Sequence, residues 1–111
     1  MEYKLPEKYK VIKSAGQLSK NEDLIELKNT ITRELGDGKG FVALDLSETS
    51  YLNSLAIGII SKLRKDAVSE GGDFILLYPR ENVNSLFDTI GLSRHFPILS
   101  SGDEVEAYFK K

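Results

Sequence analysis

The stretch that decides the fold is FVALDLSETSYLNSLAIGIISKLRK, residues 41–65. Its first six residues, Phe41-Val42-Ala43-Leu44-Asp45-Leu46, form a nearly unbroken apolar run, the pattern of a strand covered on both faces. A short polar loop is expected next. Asn53 and Ser54, both favoured helix N-cap types, then introduce a helix in which Leu55, Ile59, Ile60 and Leu63 share one face. The spacing therefore presents a serine hydroxyl where a strand turns into a helix, at the positive end of the helix dipole. Nucleophile, anion-binding and plain capping roles are all open to Ser54 at this point.

Working outward, Glu70-Gly71-Gly72 ends that helix. Asp73-Phe74-Ile75-Leu76-Leu77-Tyr78 reads as a second apolar strand, stopped by Pro79 and expected to run parallel to the first after a right-handed crossover. Upstream, Ser19 and Glu22 have capping-box spacing, and Leu24, Leu27, Ile31 and Leu35 mark one helical face down to a C-cap at Gly36. The glycine-rich residues 36–40 follow a helix and precede a strand, the wrong order for a phosphate loop, and read as a connector. A short strand is expected at residues 10–14 and a turn at Gly16-Gln17-Leu18-Ser19, with residues 1–9 either frayed or forming an extra edge strand.

Downstream, Asn82 is expected to cap a third helix that buries Val83, Leu86, Phe87 and Ile90 and stops at Gly91. Phe96-Pro97-Ile98-Leu99 reads as a short edge strand. Ser101 and Glu104 repeat the capping-box spacing ahead of a last helix docked through Val105, Tyr108 and Phe109. The pattern predicts one α/β domain over residues 1–111, a mixed and mostly parallel sheet of about four to five strands packed with about four helices.

A chain of 111 residues suits one compact core. Lys plus Arg (15) nearly balances Asp plus Glu (17), so a net charge of −2 supplies no broad field for nucleic acid or an anionic membrane. The absence of cysteine excludes disulfides and thiolate metal sites. The charged start, MEYKLPEKYK, does not read as a secretory signal, and no stretch has the length of a membrane span, so a cytoplasmic location is expected.

Several of these stretches together resemble the STAS family, in particular its SpoIIAA-like anti-sigma factor antagonists. The resemblance lies in residues 42–47, in Tyr51-Leu52-Asn53-Ser54 with Ile57-Gly58, and in Val83, Leu86-Phe87-Asp88 and Gly91-Leu92. It implies a regulatory binding module with no catalytic residue, cofactor or metal. Its partner would be a serine-kinase-type anti-sigma factor that phosphorylates Ser54, and modification would end the binding. The partner-binding residues so implied are Ser19, Asn53, Ser54, Leu55, Ala56 and Gly58, in a monomer or weak dimer.

Three positions depart from the family's usual Asp-Ser-Ser/Thr-Gly core: Asn53 stands for Asp, Leu55 for Ser or Thr, and Ala56 for Gly. They leave a second reading, a non-switching STAS scaffold subunit of a stress-signalling or lipid-transport complex. An enzyme is not expected, because no partner for a nucleophilic Ser54 and no metal-ligand spacing is present.

Other residues carry bland and sharp readings side by side. Gly58 admits close approach either of a partner or of the neighbouring strand. Asp45 reads as a buried capping or loop-tethering carboxylate rather than a catalytic acid, and His95, the only histidine, as structural. Lys62, Arg64 and Lys65 read as a solvated helix face, with contact to an acidic partner as the alternative. Tyr78-Pro79-Arg80 lies where open α/β sheets place binding loops.

Overall fold

The computed structural model describes residues 5–36 and 40–110. Strands and helices alternate as β1 (Tyr9–Leu18), α1 (Asn21–Leu35), β2 (Phe41–Leu52), α2 (Ser54–Ser69), β3 (Asp73–Leu77), α3 (Glu81–Thr89), a single 3-10 turn (Leu92–Arg94), β4 (Ile98–Leu99) and α4 (Gly102–Phe109). The sheet order is β1-β2-β3-β4, and every pairing among the described strands is parallel.

A parallel sheet laid down in sequence order with right-handed crossovers puts its crossover helices on one face. There Leu24, Leu27 and Ile31 of α1, Ala56 and Ile60 of α2, and Val83 and Phe87 of α3 pack over Val42, Leu44, Leu46, Phe74 and Leu76. On the other face α4 brings Val105 against Tyr9, Ala43, Ile75, Leu77 and Leu99. Burial on both faces is why the central strands read as continuous apolar runs. Gly40, where β2 is approached, is required sterically, since a Cβ there would meet the Glu34 carbonyl oxygen at 2.5 Å.

Several expectations are corrected. Gly16-Gln17-Leu18 continues β1 instead of turning the chain, and the polar loop expected after Leu46 is the second half of β2. The cause is a doubly irregular ladder. Between the Lys13–Asp45 and Ala15–Glu48 pairs, β2 advances three residues against two, and between Gly16–Thr49 and Gln17–Tyr51 it advances two against one. Each bulge breaks the simple alternation by which a strand is recognised.

Ser19 is not a helix cap either, because β1 carries the chain one residue further and the N-cap position falls to Lys20 without a side-chain bond. Asn82 does not cap α3, which starts from Arg80; its side chain is drawn to the β2 backbone. Ile90 is half exposed instead of buried. Tyr78 leaves the strand with φ 53, a left-handed conformation uncommon for a residue with a side chain.

The Ser101 cap is present, with its hydroxyl accepting from the Glu104 N–H. The expectations for residues 1–4 and for the middle of the glycine-rich connector, 37–39, lie outside the described residues, while residues 5–8 enter β1 through a turn closed by the Tyr9 N–H on the Pro6 carbonyl.

Candidate functional site

β3 pairs with β2 only as far as Asp45, so the remainder of β2 projects beyond it with β1 as its sole strand partner. Side chains replace the missing strand. The Arg80 Nε–H donates to the Ser47 carbonyl at 3.1 Å, and the Asn82 amide donates to the Ser50 carbonyl at 3.0 Å. Inside the ribbon, the buried Thr49 hydroxyl donates to the Ser14 carbonyl at 3.1 Å. The Asp45 carboxylate accepts from the Ser47 N–H, tethering the first bulge. These bonds satisfy backbone groups that have no strand partner and let a two-stranded extension keep one shape.

Asn53 joins the tip of this ribbon to α2. Its backbone N–H donates to the Leu18 carbonyl, its Oδ1 accepts from the Ala56 N–H at 2.9 Å, and its Nδ2 donates to the Ser19 carbonyl at 3.2 Å. Asn53 is thus the N-cap and Ser54 is the first residue inside the helix. Ser54 is exposed, and its hydroxyl has no hydrogen-bond partner among the described residues. The Ser54 and Leu55 N–H groups lie ahead of the first intrahelical bond, where the dipole is positive.

No charged side chain occurs from Thr49 to Ser61, and the first turn of α2 holds no acidic residue. Tyr51 and Leu55 flank Ser54 in sequence and are 48% and 54% exposed. An uncharged, partly apolar exposed patch of this kind is the composition of an interface core.

Of the residues singled out in the sequence, Asn53, Ser54, Leu55 and Ser19 come together here, Ser19 through its carbonyl. Ala56 differs: its side chain is wholly buried in the core, so it supports α2 from within. Gly58 is exposed, and a Cβ at this position would have nothing within 4 Å, which removes close strand packing as its reason. Sequence reasoning reaches Tyr51 only as part of the family-like motif, Arg80 only within a strand-end binding-loop segment and Asn82 only as a helix cap, and does not find the roles they have here. The bulges hide Tyr51, and the role of Arg80 and Asn82 depends on where β3 stops.

A second polar cluster lies at the opposite end of β3. Asp73, buried, accepts from the Tyr9 hydroxyl at 2.5 Å, the Tyr108 hydroxyl at 2.9 Å and the Arg64 guanidinium at 2.7 Å. Burial pushes its carboxyl up, but the three donors outweigh that and hold it below the usual range. Burial, with the bond to Asp73, pushes the Tyr108 phenol up to about 12 and raises that of Tyr9 as well. One carboxylate thereby ties β1, α2, β3 and α4 together. Among the described residues no group of three or more His, Cys, Asp or Glu is placed to hold a metal ion, and no helix is long and apolar enough to cross a membrane.

Comparison with known proteins follows the same lines. BtrV of Bordetella bronchiseptica, assigned as an anti-sigma factor antagonist, is 24% identical over 85 residues, covering 77% of this chain and 73% of BtrV. A Thermotoga maritima protein, also assigned as an anti-sigma factor antagonist, has a crystal structure that superposes with a TM-score of 0.75 at 23% identity, covering 98% of this chain and 93% of that one. The anti-sigma factor antagonist SpoIIAA in its unphosphorylated form superposes with a TM-score of 0.71 at 17% identity, covering 99% and 95%. Residues 22–105 match the model of the STAS domain, and the chain belongs to the STAS family.

Proposed function

We propose that this chain is an anti-sigma factor antagonist, a cytoplasmic binding module that sequesters a serine-kinase-type anti-sigma factor and is switched off by phosphorylation of Ser54. The observation that carries this reading is an exposed, unpartnered Ser54 hydroxyl at the first position of α2, within a stretch, residues 49–61, that holds no charged side chain. Relatives assigned as antagonists give the reading its partner class. A phosphate there adds about −1.5 to −2 charges at a helix N-terminus, where the fold tolerates it. A partner surface matched to a neutral hydroxyl, Tyr51 and Leu55 would instead face an unpaired dianion, at a cost of several kcal/mol. One modification leaves the fold intact and ends the complex.

Incubation with the cognate anti-sigma factor and ATP, followed by peptide mass mapping, tests this. Phosphate on Ser54 is expected. An unmodified protein under conditions that support the kinase on another substrate refutes the switch.

The non-switching scaffold is the second reading, favoured by Asn53. Its amide fixes the loop on both sides without the negative charge of an aspartate, so the same surface can hold a partner by shape alone. A complex that purifies at constant stoichiometry, free of phosphate and indifferent to ATP, distinguishes it.

A further inference from the structure

Away from Ser54, the second half of α2 faces the segment from Leu92 to Phe96 across a hollow of about 560 Å³. Val68, Leu92 and Phe96 give it an apolar wall, and Arg64, Lys65 and His95 are its ionisable lining. Val68 is 48% exposed and Leu92 partly so, while Phe96 is buried at 4%. An adjoining hollow of about 440 Å³ shares Arg64, His95 and Phe96 and adds Arg94 and Tyr108. No aspartate or glutamate lines either one. Asp73 reaches Arg64 from the interior, while Lys65, Arg94 and His95 have no ion-pair partner among the described residues.

In a chain of net charge −2, this is a local concentration of cationic side chains beside apolar surface. The Arg64 guanidinium is itself held in place, stacked 5.3 Å from the Phe96 ring centre and bonded to Asp73 and the Phe74 carbonyl. Both hollows fall in the size range of small-ligand sites, the first a half-open groove and the second shallower. An apolar wall with cationic groups and no carboxylate fits an apolar body bearing one negative charge.

We propose that these joined hollows bind a small amphipathic organic anion, an acyl carboxylate, with its chain on Val68, Leu92 and Phe96 and its carboxylate toward Arg94 and His95. The site is independent of the Ser54 surface and stands whether or not Ser54 is modified.

Titrating the ¹⁵N-labelled protein with sodium octanoate, and separately with octan-1-ol, tests this by amide chemical shifts. Saturable shifts are expected at Val68, Leu92, His95 and Phe96, with octanoate bound about tenfold more tightly than the alcohol, a difference of about 1.4 kcal/mol. Arg94→Glu should weaken octanoate about tenfold and leave octanol unchanged, whereas Val68→Asp should weaken both. Both positions are at the surface, and the unperturbed remainder of each spectrum reports that the variant is folded. Absence of saturable shifts at these four residues, equal affinity for acid and alcohol, or an Arg94→Glu variant that binds octanoate normally would each overturn the proposal.

Discussion

The Asn53 side-chain amide donates to the Ser19 carbonyl at 3.2 Å while its oxygen accepts from the Ala56 N–H at 2.9 Å, so a single residue joins the exit of β1 to the entrance of α2. An aspartate would keep the second bond, lose the first and set a carboxylate against a carbonyl oxygen. Asn53→Asp is expected to lower stability by about 1 kcal/mol, and Asn53→Ala, which loses both bonds, by about 2 kcal/mol. Urea unfolding midpoints measure the difference. An Asn53→Asp variant as stable as the wild type would show that the Ser19 bond contributes nothing.

Gly58 lies inside α2, exposed, with open space around the position of a Cβ. Glycine at such a site costs about 1 kcal/mol relative to alanine. Gly58→Ala should therefore raise stability by about that amount. If the partner approaches this turn closely, the same substitution lowers affinity for the anti-sigma factor, and calorimetric titration separates the two effects. Unchanged affinity in the stabilised variant places Gly58 outside the interface.

Tyr51 and Leu55 present about half of their surface to solvent, so truncating either to alanine should change stability by no more than about 0.5 kcal/mol. As apolar anchors beside Ser54, each should cost more than about 1 kcal/mol of partner affinity. Ile25→Ala, an exposed apolar residue on α1, is the matched control and should bind normally.

The Asp73 cluster sets the pH range of the fold. Its carboxyl is held below the ordinary value, so the stability it contributes is present above the unfolded-state value of about 4 and is lost as the pH falls through the lower folded value. The phenols of Tyr9 and Tyr108 are raised, so their contribution is complete below about 10 and is lost as the pH rises toward their folded values. Thermal stability should fall on both flanks. Asp73→Asn should flatten the acid flank, and Tyr108→Phe should reduce the alkaline one. Asp73→Ala, which leaves Arg64 without its partner at a site where both side chains are largely shielded, should cost about 3 kcal/mol at neutral pH.

Much of this architecture is legible in the chain because its signals are local. The apolar runs of β2 and β3, the stripe Leu24, Leu27, Ile31 and Leu35, and the Ser101 cap each declare themselves within one element. What is not legible there depends on partners distant in sequence. Ser47 and Ser50 look like loop residues until Arg80 and Asn82 donate to their carbonyls, and Ser19 looks like a cap until Asn53 donates to its carbonyl. Residue types alone place Ser54 at the helix entrance. Its status as the first helical residue, with Asn53 as the cap that frees its hydroxyl, requires the geometry.

The central claim is that a phosphate on Ser54 ends partner binding without disturbing the fold. The most direct measurement is calorimetric titration of the anti-sigma factor with wild-type protein, Ser54→Ala and Ser54→Asp, alongside unfolding curves for all three. Similar stability throughout, near-normal affinity for Ser54→Ala, and at least a hundredfold loss for Ser54→Asp, about 3 kcal/mol, are the expected results. Normal affinity for a folded Ser54→Asp would contradict the claim.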